Sequence, residues 1–268
     1  MAVTTSRFSK ATLDFIVKAS RQRKPEWIEK HRAEYETAVR DPLLALAAHL
    51  KRALAVEATG YHFPQRGLGR LRRSSYSAGK YNALYRDYIS YTVSRPSHSR
   101  FDHNPSLFFM IYPEDGEGDE VILAGGLYMP SSRQLRAIRE SIACDATPFD
   151  RLFADRAFAA RFPDGFSDER MASRPPRGFD PEHPRLDWLK RQGYFVWRSY
   201  RKREVYAPGF FALLADDGRQ ILRLNHLLEQ AISARPGAVF RPVEKLSTRP
   251  GLSTRLEEVE APRRKMDF

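Results

Sequence analysis

The chain has 268 residues, of which 42% are hydrophobic and 12% aromatic, enough to build one large core or two small ones. A mean hydropathy of -0.55 and the lack of any apolar run near the ~18 residues of a membrane span point to a chain outside the bilayer. One cysteine, Cys144, excludes an internal disulfide and a cysteine-rich metal site, and its lack of a neighbouring histidine suggests a buried or inert thiol. A reducing, cytoplasmic setting follows as the default. The net charge of +12 favours anionic partners such as nucleic acid, acidic membrane surfaces or anionic small molecules. Arginine outnumbers lysine severalfold, so the same charge also fits a plain compositional bias.

Residues 8–20 carry Phe8, Leu13, Phe15, Ile16 and Val17 near helical spacing, and Asp14 argues against a transit peptide. Pro25 sits at a first-turn position for a second helix over 25–40, with Trp27, Ile28, His31, Tyr35 and Val39 on one stripe. Asp41-Pro42 stops or restarts it, and 43–56 continues as an apolar helix. Residues 59–75 read as loop, and 81–93 fits strand or helix. The run LFFMIY at 107–112 is a buried strand, PEDGEGDE at 113–120 an acidic turn, and 121–128 the partner strand of a hairpin. Ser131 or Ser132 caps a helix over 131–141, with Leu135, Ile138 and Ile142 on one face. A helix over 149–162, a Pro- and Gly-containing connection over 163–184, a short helix from 186, a strand over 194–197 and two helices over 208–216 and 220–234 follow. Residues 1–234 read as a single domain, and the Pro-, Arg- and Glu-rich stretch 235–268 as an extended basic tail ending Arg263-Arg264-Lys265.

No Walker loop, GxGxxG, HExxH, CxxC or GxSxG occurs, so no cofactor is indicated. His98 and His103, with Asp102 between them, are the nearest approach to a metal-ligand cluster, and two histidines on a loop are fewer than a metal site wants. The strongest candidate is 67–85, GLGRLRRSSYSAGKYNALY, where Arg70, Arg73 and Lys80 stand among small residues ahead of a tyrosine-rich run. Guanidinium forks suit phosphate or carboxylate, and tyrosines can stack on bases. The segment is equally readable as a basic loop leading into an aromatic strand that packs on the core. Arg198–Arg203 forms a second basic cluster, generic when taken alone. The segment 174–184 brings Arg174 and His183 together with rigid prolines, as binding loops often do.

The order of these motifs resembles the bacterial domain-of-unknown-function family 2461. Trp27, Ile28, His31, Arg32, Tyr35, Val39 and Pro42 fit its opening helix. Gly125, Gly126, Pro130, Leu135, Arg139 and Ile142 fit its GGxxxPxxxxLxxxRxxI pattern in full. Arg174, Pro176, Gly178, Phe179, His183 and Pro184 fit a later segment, and Leu224, Asn225 and Leu228 its closing pattern. The signature RxxRDxRFxxx[DN]KxxY keeps Arg70, Arg73 and Tyr85, but its Asp is Ser74 here. The resemblance implies an α+β fold with a mainly antiparallel sheet and flanking helices, and implies no activity.

Three functions are open from the sequence. The first is a binding or interaction protein for nucleic acid or a nucleoprotein assembly. The second is an enzyme acting on a phosphorylated or other anionic small molecule. In it Arg70, Arg73 and Lys80 clamp the anion, Arg139 adds charge, and Tyr85 or His183 moves protons. The third is an interaction scaffold without catalysis. The second requires those side chains to converge on one concave surface.

Overall fold

Strand β1 (Ile89–Ser94) emerges from the ambiguous run, and the expected hairpin becomes β2 (Ser106–Tyr112) and β3 (Glu120–Leu127). With β4 (Tyr194–Ser199) they form one sheet in the order β1-β2-β3-β4, every neighbour antiparallel. The computed structural model describes residues 7–97, 101–113 and 120–234. The core of the expected acidic turn, His98 and the C-terminal tail lie outside them.

The register decides which side of each strand meets the core. Val93, Leu107, Gly125 and Val196 are successive partners across the sheet. With Tyr91, Phe109, Ile111, Val121, Leu123 and Tyr194 they lie on a face that is buried throughout. The next row, Thr92, Phe108, Ala124 and Trp197, faces the other way and is half-buried throughout.

Helices cover the first face. They include α1 (Lys10–Ser20), α2 (Asp41–Ala53), α4 (Ser132–Cys144), α5 (Thr147–Ala154) and α6 (Phe210–Ser233), while the short α3 (Ser75–Tyr81) has no buried residue and lies at the surface. Helix α6 lies on β3 and β2 and touches α2, α4 and α5. It is one helix of 24 residues rather than the two expected. Gly218, in the gap between those two, is where the helix closes on its neighbours: a β-carbon there would stand 3.3 Å from Leu54 and 3.4 Å from Leu107. Gly125 does the same from the sheet side, because a β-carbon on it would collide with Ile221 Cγ2.

Two further expected helices are broken. Over 25–40 there are single turns at Trp27–Lys30 and Arg32–Tyr35, then a wide π turn, Glu36–Arg40, that runs into α2. Pro42 has no N–H to give and its ring crowds the turn before it, a setting in which the helix widens. Over 149–162 the chain turns out of helix at Asp155, whose carboxylate accepts the amides of Ala157 and Phe158 and starts a new turn. Ser131 caps α4 as expected, in a reciprocal pair with Gln134.

Candidate functional site

The other face of the sheet, on which no helix lies among the described residues, floors a groove of about 410 Å³. Ser90, Thr92 and Ser94 of β1, Phe108 and Met110 of β2, Ile122 and Ala124 of β3 and Trp197 of β4 line it. Alternation along the strands puts them there, since the residues between them face the core.

One wall is a loop within 62–72. Its ends are pinned antiparallel along the β1 side, by the bridge His62–Ser94 at one end and Arg72–Tyr85 at the other. Between the pins, Pro64, Arg66, Gly67, Leu68, Gly69 and Arg70 border the groove. Gly67 and Gly69 adopt φ of +75° and +72°, so the loop turns back where other residues would be strained. Tyr35 donates its hydroxyl to the Gly69 carbonyl at 3.1 Å and ties the loop to the helical layer. Arg66 and Arg70 are exposed, and among the described residues their guanidinium groups have no acidic partner. Arg95, also on the groove, is bound to Glu229 at 2.9 Å.

The far end is polar and ordered. Asp102 accepts the Ser131 hydroxyl at 2.7 Å and pairs with Arg133. The Ser131 hydrogen bond, followed by Arg133, holds the Asp102 carboxyl below the usual aspartate range. Tyr128 donates to Glu169 Oε1 at 2.7 Å. Burial, then Glu169, pushes the Tyr128 hydroxyl up to about 12, so it keeps its proton and remains a donor at neutral pH.

Of the seven residues singled out in the sequence, Arg70 borders the groove and the other six do not. Arg73 is buried, pairs with Asp87 at 3.2 Å and lies 4.6 Å from the Tyr81 ring. Lys80 is exposed on α3, 5.2 Å from the same ring. Tyr85 is buried, and its hydroxyl sits among the carbonyls of Lys24 and Pro25, 3.0 Å from each, with the Ile28 amide donating to it. Arg139 donates to the Arg191 carbonyl at 2.9 Å. Arg174 is exposed on the long connection, and His183 Nδ1 accepts the Arg185 amide at 3.0 Å.

The second basic cluster points partly inward. Asp217 of α6, fully buried, accepts Arg161 at 2.7 Å, Arg198 at 3.0 Å and the Tyr200 hydroxyl at 2.7 Å. Cys144, expected to be buried or inert, is not buried: it is exposed at the last residue of α4. Among the described residues no group of three His, Cys, Asp or Glu side chains is placed to hold a metal, and no helix is long and apolar enough to cross a membrane.

A model of the conserved hypothetical proteins DUF2461 matches residues 11–226. The chain belongs to the DUF2461 family. No curated protein and no solved structure matches it. In this DUF2461 chain, Ser74, which stands where the resemblance places an aspartate, is the N-cap of α3, with its hydroxyl accepting the Ser77 amide at 3.2 Å. Serine and aspartate serve equally well at that position, so the exchange keeps a local structural role.

The sequence missed Arg66, Tyr128, Glu169 and the groove floor. The alternation Ile-Ser-Tyr-Thr-Val-Ser at 89–94 was the available signal, because it marks a strand with one polar face.

Proposed function

We propose that the protein binds a small organic anion in this groove, with the ligand's apolar body on the sheet and its charge at Arg66 and Arg70. One observation carries the reading: among the described residues, a largely apolar groove on the sheet lies beside two exposed guanidinium groups with no acidic partner. Concave apolar sites with a few placed polar groups are the usual form of small-molecule sites. The enzyme reading has less support, because Tyr85 and His183, its proton carriers, lie away from the groove.

The test is titration with 8-anilinonaphthalene-1-sulfonate, which joins an aromatic body to an anion. Saturable binding is expected at neutral pH, with the near-ultraviolet circular dichroism of the native state unchanged. Arg70→Glu weakens it by about tenfold or more, the worth of a charge-assisted contact. Ala124→Trp fills the floor and abolishes it, and Lys80→Ala leaves it unaltered. Equal affinity in the Arg70→Glu and Lys80→Ala proteins would sink the reading.

A second reading is single-stranded nucleic acid. Phe108 and Trp197 stand in one row of the antiparallel sheet beside the exposed Arg66 and Arg70, an arrangement suited to stacking bases. It expects oligonucleotide affinity that falls steeply with salt.

A further inference from the structure

The groove is chemically asymmetric across its width. β1 and β4 are the two edges of the sheet. Arg66 and Arg70 stand on the loop pinned along the β1 side. Glu169 stands on the β4 side, because two residues earlier Ser167 donates its amide to the Phe195 carbonyl at 2.9 Å. Three inter-strand spacings, about 14 Å, separate the edges.

Glu169 is half-buried and borders the groove. Tyr128 holds one of its oxygens at 2.7 Å. Its other oxygen has no hydrogen bond or ion pair among the described residues. A carboxylate beside an apolar surface needs donors, and it can take two neighbouring N–H groups as a fork while Oε1 still accepts Tyr128. Phe108 of β2 and Trp197 of the edge strand β4 flank Ala124 of β3 in a single row. The small alanine leaves a shelf between two aromatic side chains, where a planar ring can lie.

Building on the small-anion reading above, we infer that the ligand is a nucleotide-like unit. Its phosphate meets Arg66 and Arg70, its ring lies on the Ala124 shelf, and a pair of N–H donors on the ring edge meets Glu169. Guanine presents such a pair. The unit is either a free nucleotide or one residue of a single strand.

Equilibrium dialysis of the full chain with GMP, IMP, guanosine and the tetraribonucleotide UUGU tests this. GMP is expected to bind about tenfold or more tightly than IMP, which lacks the exocyclic amine, and than guanosine, which lacks the phosphate. Glu169→Gln brings GMP and IMP to within about twofold of each other, as loss of a charged contact should, with the near-ultraviolet circular dichroism of the native state unchanged. Arg70→Ala shrinks the advantage of GMP over guanosine instead. Tighter binding of UUGU, with a steep salt dependence, assigns the unit to a strand, and weaker binding assigns it to a free nucleotide. Equal affinity for GMP and IMP, or a preference that survives Glu169→Gln, overturns the inference. If the dye binds and GMP fails to displace it, this inference falls and the small-anion reading stands; if neither binds, both fall.

Discussion

Replacing Asp217 by alanine tests the packing of α6 against β4. The carboxylate is fully buried and accepts Arg161, Arg198 and Tyr200 at 2.7, 3.0 and 2.7 Å. Removing one partner of a buried ion pair costs about 3–5 kcal/mol, because the charges left behind lose their compensation. Here the arginine side chains are each 28% exposed, so they can swing outward and recover water. That puts the loss at the low end, about 3 kcal/mol. Part of it belongs to Tyr200, whose buried hydroxyl is left without its acceptor. At roughly 2–4 °C per kcal/mol for a domain of this size, the melting temperature falls by about 6–12 °C. Urea unfolding followed by circular dichroism is the assay, with a lowered midpoint at an unchanged slope. Asp217→Asn keeps an acceptor for Tyr200 and loses less. A loss below about 1 kcal/mol for Asp217→Ala, the size of an exposed ion pair, would refute the reasoning, since it would mean that the arginines were never committed to the carboxylate.

Three more outcomes follow from the fold. Gly125→Ala forces a methyl against Ile221 and to within 2.8 Å of the Ser106 carbonyl; it should destabilise by about 3 kcal/mol in thermal unfolding, and by less in an Ile221→Ala background. Ser74→Ala removes the cap of α3 at a cost of about 1 kcal/mol, read as faster hydrogen exchange at the Ser77 amide, whereas Ser74→Asp keeps the protection. Burial, ahead of Arg95, holds His226 below its ordinary value near 6.5. The folded protein therefore binds that proton less readily than the unfolded chain does. Stability is full above about pH 6.5 and declines as the pH falls from there toward the folded value. Urea midpoints measured between pH 7.5 and 5 should show the decline, and His226→Gln should flatten it.

The hairpin and the α4 cap were legible because each has a local signature: short aromatic runs around an acidic turn, and a serine ahead of a periodic apolar face; the antiparallel α+β class came from the family resemblance. The unity of α6 was not: Gly218 lies in the gap between the two expected helices, and only the tertiary structure shows Leu54 and Leu107 pressing against it. The site was legible only at Arg70. Arg73, Tyr85 and Arg139 belong to the same chemical types, yet Asp87, the Lys24 carbonyl and the Arg191 carbonyl take them up. The last two partners lie 61 and 52 residues away, beyond the reach of any spacing argument. The groove floor was hidden for another reason. Phe108 and Met110 look like core residues, and only the pairing register, with the groove that they line, shows that they stand on the side of the sheet opposite Leu107 and Phe109.

The pinning of the 62–72 loop separates two kinds of selection. Its anchors, His62 against Ser94 and Arg72 against Tyr85, are backbone bridges and make few demands on the side chains between them. Surface loops closed at both ends tolerate changes in length at a small entropic cost. Gly67, Leu68 and Gly69 are held by their backbone angles and by the core, so the positions of this stretch that can vary without disturbing the helix-covered core are the exposed ones, Gln65, Arg66 and Arg70 among them. On the proposed function, those exposed loop positions are where the choice of anion is set, apart from the residues that hold the fold.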